Sequence, residues 1–199
     1  MKYGTFIESQ GEFTQELRFL AKAVSGDETR YFMNFMLIEP SEAEDKREDK
    51  SMPLFRGVST DGRRLHLVDP LNSAAGPVFG LCPGYWHVVS NKQNCVQIAH
   101  IPDFEGQFPN YQKVIPSEDP LQESEFSGFS LSSQRAGESS REISKFFRSF
   151  PEPTPLNLLY LADLGVDTNW KVEWRGNKKG VTFKSGNKTA IIIPMQADD

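Results

Sequence analysis

The spacing of apolar residues changes period along the chain, and each change marks an element. Tyr3, Thr5 and Ile7 are β-prone and predict a short strand that Ser9-Gln10-Gly11 ends. From Glu12 to Val24 the pattern turns helical. Phe13, Leu17, Leu20, Ala21 and Val24 share one face, Arg18 and Lys22 fall opposite, and Gly26 supplies a stop. Arg30–Glu39 is a β-prone run leading into the mixed-charge stretch Glu39–Lys50, which reads as a solvated loop. Leu54–Val68 predicts two strands folded about Asp61-Gly62, a hairpin signal between alternating apolar residues. Tyr85–Val89 and Cys95–Ile101 predict two more strands around the turn Asn91–Asn94.

The second half begins with a polar stretch, 117–139, rich in Ser, Glu and Gln, which predicts a flexible segment. A short helix follows, with Ser139 or Ser140 as its cap. Ile143, Phe146, Phe147 and Phe150 lie on one side of it, and Arg141, Lys145 and Arg148 on the other. Pro151, Pro153 and Pro155 end it. Leu156–Leu164 is a second apolar helical stretch, stopped by Gly165, and three short strands come last: Lys171–Arg175, Val181–Lys184 and Thr189–Pro194. Helices and strands are grouped in runs, so the expected class is α+β, in two strand–helix–strands halves.

Composition narrows this picture. With 199 residues, 38% hydrophobic and 25% charged, the chain has the make-up of a folded protein with a core. No apolar run reaches the roughly 18 residues of a membrane span. Two cysteines and a polar N-terminus make a reducing cytoplasm the expected location. Net charge of −5 argues against a uniformly basic nucleic-acid binder.

The chemistry is equally spare. Cys82 and Cys95 have no partner pair at zinc spacing and read as two buried thiols. His66, His87 and His100 each fall inside an apparent strand, without a ligand neighbour. No phosphate-binding glycine loop and no nucleophile elbow occurs. The expectation is a protein with no catalytic residues, no metal and no cofactor.

Four segments, taken in order, resemble the bacterial DNA polymerase III beta subunit, the sliding clamp. Arg30-Tyr31-Phe32-Met33-Asn34-Phe35-Met36-Leu37 is similar to that family's RYYLNG-like strand. Val58-Ser59-Thr60-Asp61-Gly62-Arg63-Arg64-Leu65 resembles its VATDGHRLA hairpin. Gly106–Pro116 (GQFPNYQKVIP) is similar to its interdomain strand and is the most specific of the four. Leu156–Leu164 with Ala190–Gln196 resembles its closing helix and its final strand ending in Pro-Met.

The resemblance implies a DNA-clamp-like fold, with helices on one face of antiparallel sheets. It divides the chain into clamp-like halves at 1–105 and 106–199, or makes it one clamp domain. The family's chain carries three clamp domains, so the resemblance joins half of a middle domain to the closing half of a last one. It further implies an apolar pocket for peptides of a DNA polymerase or other clamp clients. That pocket would be lined by Met33, Thr60, Gly62, Arg63, Arg64, Leu65, Pro109, Val114, Ile191, Ile193, Pro194 and Met195. Met33, Leu65, Val114, Ile191 and Ile193 offer apolar walls, Met195 an adaptable one, and Arg64 a partner for a carbonyl or carboxylate.

Two departures bear on client choice: Arg63 stands at the family's His and Gln196 at its Arg. The family also encircles DNA with helices, which would make Arg18, Lys22, Arg141, Lys145 and Arg148 face the duplex without reading sequence. A chain this short would need a homo-oligomer to close a ring. Two other readings fit the same residues: a monomeric peptide-binding module of clamp-like fold, and an unrelated α+β ligand-binding or enzymatic domain.

Overall fold

The structure is a computed structural model that describes residues 2–26, 32–44, 53–71, 78–127, 143–165 and 168–195. It divides into two compact units, Met1–Tyr111 and Gln112–Asp199. Both are α+β.

The N-terminal unit is an antiparallel sheet in the order β1-β6-β5-β2-β3-β4. Its strands are β1 (Phe6–Glu8), β2 (Met36–Pro40), β3 (Phe55–Thr60), β4 (Arg64–Leu71), β5 (Gly84–Lys92) and β6 (Cys95–Ile101). Of the predicted run from Arg30, residues 30–31 lie outside the described residues, and among the rest strand pairing begins at Met36. Helix α1 (Gly11–Ala21) packs on β3, β4, β5 and β6.

Leu17 and Leu20 are fully buried where α1 closes on the sheet, whose Met36, Ile38, Val68 and Trp86 are equally inaccessible. Gly57 permits this closeness, since a Cβ there would stand 2.5 Å from Leu20 Cδ1. On the other face the Tyr85 ring lies 4.3 Å from that of Phe104 and tilted to it by 47°, and the Tyr85 hydroxyl accepts from Phe108 N at 2.9 Å. These contacts lay the segment 104–111 along that face.

The strands of the C-terminal unit are antiparallel, in the order β10-β9-β8-β7. They are β7 (Gln122–Ser127), β8 (Asn169–Trp174), β9 (Val181–Ser185) and β10 (Lys188–Ile192). β7 corrects the expectation of a flexible 117–139. Gln122–Ser127 pairs with β8 along its whole length, while 128–139 lies outside the described residues. With Phe126 its sole large apolar residue, β7 shows no clear alternation in sequence.

Helix α2 (residues 143–148) docks through Phe146, whose ring lies 4.6 Å from Phe126, 5.0 Å from Phe150 and 6.1 Å from Phe183. Helix α3 (Leu158–Asp163) is capped by Asn157, whose Oδ1 accepts from Leu159 N at 2.9 Å. No helix among the described residues is long and apolar enough to cross a membrane.

Candidate peptide site and the clamp fold

In the N-terminal unit the expected site residues gather on the β3–β4 hairpin. Gly62 takes φ +85°, the left-handed turn conformation that favours glycine. Asp61 Oδ1 accepts from the backbone N–H of Arg63 and of Arg64, each at 3.0 Å, and Thr60 Oγ1 donates to Arg64 O at 2.6 Å. The turn is therefore held by its own side chains. Gly62 and Arg63 are exposed, whereas Thr60, Arg64 and Leu65 are buried. Met33 and Pro109 are half-buried, Met33 ahead of β2 and Pro109 within the segment laid over Tyr85.

Arg64 was expected to meet an incoming peptide, but its guanidinium is committed to the fold. Nε pairs with Asp61 Oδ2 at 3.0 Å, and Nη2 donates to the carbonyl of Lys22 at the end of α1. Two neighbours join it there. Ser59 Oγ donates to Leu20 O at 2.6 Å, and His66 Nδ1 donates to Phe19 O at 2.6 Å while its ring stacks on Phe19. The hairpin thus bonds carbonyls at the end of α1, where a helix runs out of its regular partners, although Leu20 O also accepts from Ala23 N at 3.0 Å. A cation beside that terminus is also favoured by the helix dipole.

In the C-terminal unit Val114 and Ile193 come together. They line a groove of about 360 Å³ with Lys113, Ile115, Pro116, Ser117, Glu118, Arg175, Lys179 and Gly180. Val114, Ile115 and Ile193 are each close to 40% exposed, an unusual degree for branched aliphatic side chains sharing one groove. Ile191 lies fully buried beneath it, and a Cβ on Gly180 would stand 2.6 Å from Ile191 Cγ2. Pro194 is buried; Met195 is exposed outside the groove, its N–H bonded to Pro155 O at 2.8 Å.

The groove's polar side is a network. Arg175 Nε donates to Glu118 O at 2.8 Å, Nη1 to Thr182 Oγ1 at 3.2 Å and Nη2 to Glu173 Oε2 at 2.6 Å. Lys184 adds a bond to Glu173 Oε1 at 2.7 Å. Burial pushes the Glu173 carboxyl up, but the hydrogen bonds and charges of Lys184 and Arg175 outweigh it and hold the group below the usual carboxylate range. Lys179 donates to Glu118 on the rim and draws that carboxyl down as well.

The groove residues missed in sequence divide by cause. Lys113, Ile115 and Pro116 adjoin Val114 within the recognised FPNYQKVIP and were findable by adjacency. Arg175, Lys179 and Gly180 come from the end of β8 and the turn after it, where nothing in the sequence distinguishes them.

Of the bases expected on helices, Arg18 is half-buried and donates to Gln93 O at 3.1 Å, and Lys22 is half-buried at the end of α1. Lys145 and Arg148 are exposed on α2, and Arg141 lies outside the described residues. Cys82 and Cys95 are half-buried rather than buried, and desolvation raises the Cys82 thiol above its ordinary range.

Antiparallel sheets with helices packed on them, joined through an FPxYxxVIP segment, define an α+β protein of DNA-clamp fold. Solved structures of bacterial DNA polymerase III beta sliding clamps match nearly the whole chain. The Borrelia burgdorferi protein matches with TM-score 0.56 at 16% identity, over 98% of this chain and 64% of that one. The Streptococcus pneumoniae protein gives 0.55 at 12%, over 99% and 66%. The Caulobacter crescentus clamp gives 0.53 at 15%, over 98% and 66%. At such identities the likeness is one of fold, and the chain spans about two thirds of those chains' length. No protein-family model and no curated protein sequence matches it.

Proposed function

We propose that the chain is a sliding-clamp-like DNA replication accessory factor without catalytic activity. It receives peptides of a DNA polymerase or other clamp clients at the apolar groove of the C-terminal unit. As a cytoplasmic homo-oligomer it contacts duplex DNA without reading its sequence. The observation that carries this reading is the clamp fold over 98% of the chain. The exposed Val114, Ile115 and Ile193 support the peptide-binding part, because a peptide's apolar anchors would remove that surface from water. Exposed Lys145 and Arg148 support the DNA part, since phosphate contacts are local and a net charge of −5 is global.

A fluorescent peptide carrying a polymerase clamp-binding motif is expected to bind the full chain, and Ile193→Asp to weaken it more than tenfold. That loss is about 1.4 kcal/mol or more and fits the removal of one apolar contact. Ile193 is 39% exposed, and circular dichroism of the variant checks that the fold is kept. Binding that ignores Ile193→Asp would remove the groove as the site. The ring is tested by solution mass. An oligomer is expected, with salt-sensitive DNA association that weakens when Lys145 and Arg148 are reversed to Glu. A strict monomer at micromolar concentration would favour the second reading, a monomeric peptide-binding module. That reading draws support from a groove lined wholly by residues of one unit.

A further inference from the structure

Residues 104–110 belong to no helix or strand, and side chains rather than a backbone ladder hold them to the N-terminal unit. Phe104 and Gly106 are half-buried and Phe108 is buried, while Glu105 and Gln107 between them are exposed. The two ends of this segment are fastened by different chemistry. At the first, the Phe104 ring lies 4.3 Å from Tyr85 and 4.9 Å from Phe35, and the Tyr85 hydroxyl accepts from Phe108 N at 2.9 Å. At the second, Tyr111 is 5% exposed and its hydroxyl donates to Glu39 Oε1 on β2. The Phe108 and Tyr111 rings meet edge-on at 6.4 Å, which joins the two fastenings.

Glu39 is shared. The oxygen that accepts from Tyr111 also accepts from Arg56 Nε of β3 at 2.6 Å. Arg56 Nη1 in turn lies 4.0 Å from Asp69 Oδ2 on β4, and Asp69 Oδ1 accepts from Ser41 Oγ. A hydroxyl bonded to a carboxylate is held more strongly than one bonded to a neutral acceptor. Neutralising Glu39 therefore weakens the hold on Tyr111, but it does not strand the guanidinium, because Asp69 remains beside Arg56 as a counter-charge. The fastening of Tyr111 is thus separable from the stability of the sheet beneath it.

We propose that 104–111 is a strap that opens from its C-terminal end, and that the Glu39 carboxylate is the latch that keeps Tyr111 down. Glu39 is a positioning residue, acting through the Tyr111 hydroxyl. The N-terminal unit ends at Tyr111, which also opens a short 3-10 turn, Tyr111–Lys113. With the latch closed, the connection to the C-terminal unit starts at Gln112. With the latch open, it starts at Pro109, because Tyr85 still holds Phe108. The device calls on neither peptide nor DNA and stands independently of binding at the groove.

The test is amide-resolved hydrogen exchange by NMR on the full chain at neutral pH. It compares the wild type with Tyr111→Phe, Glu39→Gln and the double variant. Tyr111→Phe deletes the hydroxyl and keeps the buried ring. Exchange at Asn110, Tyr111, Gln112 and Lys113 is expected to quicken about tenfold, the worth of one hydrogen bond to a charged group. The amides of β2, β3 and β4 should keep their rates, since the opening is local. Glu39→Gln should quicken the same four amides, yet add nothing in the Tyr111→Phe background, because the two changes remove one interaction. Tyr85→Phe should instead release the Phe108 amide and leave those four as they were.

Unchanged exchange at the four amides in Tyr111→Phe would overturn the inference. So would exchange that rises equally through β2, β3 and β4, which marks a weaker unit rather than an opened strap. If Glu39→Gln still quickens the four amides when Tyr111 is already phenylalanine, Glu39 acts by another route and is not the latch.

Discussion

Phe146→Ala is expected to lower the stability of the C-terminal unit by about 3–5 kcal/mol, the cost of deleting a buried phenyl ring from a packed core. Phe146 is 6% exposed and is the ring through which α2 reaches the sheet, touching Phe126 on β7, Phe183 on β9 and Phe150 beyond the helix. Nothing adjacent can collapse into its place without giving up contacts of its own, because Phe126 and Phe183 are held in strand register. Urea denaturation followed by circular dichroism reads the loss. Hydrogen exchange locates it, with protection falling in α2, β7 and β9 while α1 and its sheet keep theirs. A loss below about 1 kcal/mol would mean that Phe146 is not a core anchor.

Glu173→Gln is expected to cost about 3 kcal/mol at neutral pH, the low end for removing one member of a buried ion pair. Glu173 is 4% exposed and answers both the buried Arg175 and the half-exposed Lys184, so its loss leaves a guanidinium in the interior without a counter-charge. The pH dependence has a definite sign. The folded-state pKa of Glu173 lies below its ordinary value of 4.5, so its stabilisation is complete above that value. It is lost as pH falls through the lower folded-state value. The stability gap between wild type and Glu173→Gln should therefore be constant from pH 8 to about 5.5 and close only in acid. A gap that closed near neutrality would point to another group.

Much of the fold was legible because it is local. The Asp61-Gly62 turn is held by Thr60 and Asp61 themselves, so four residues specify it and it appears where expected. The face of α1 built on Phe13, Leu17 and Leu20 follows from helical spacing, and those three side chains are buried. Strand β7 was not legible. Its pairing with β8 comes from backbone hydrogen bonds, and Phe126 alone marks the face it turns to the core. Gly57 likewise looks like any strand glycine until Leu20 is seen beside it.

The candidate site divides along the same line. Residues that resemble the sliding-clamp family could be named from their motifs, but a motif does not state which side chains remain accessible. Arg64 illustrates this: a free arginine in sequence, it is taken up by Asp61 and by the carbonyl of Lys22. Val114 and Ile193 illustrate the reverse, two ordinary aliphatic residues left exposed together in one groove.

Taken alone, the order of amino acids settles the helix faces, the Asp61-Gly62 hairpin and the strands with clear apolar patterning, though not β7, and with them the α+β class and its clamp-like motifs. These depend on interactions within a few residues, whose geometry the backbone dictates. Folding in three dimensions settles what those motifs are free to do. Whether Glu173 is a surface acid or a buried counter-ion, and whether Arg64 meets solvent or caps a helix, depends on partners distant in sequence. So does the exposure of Ile193 beside Val114 above a buried Ile191. Burial and charge pairing are properties of the packed chain, and they decide which side chains remain accessible.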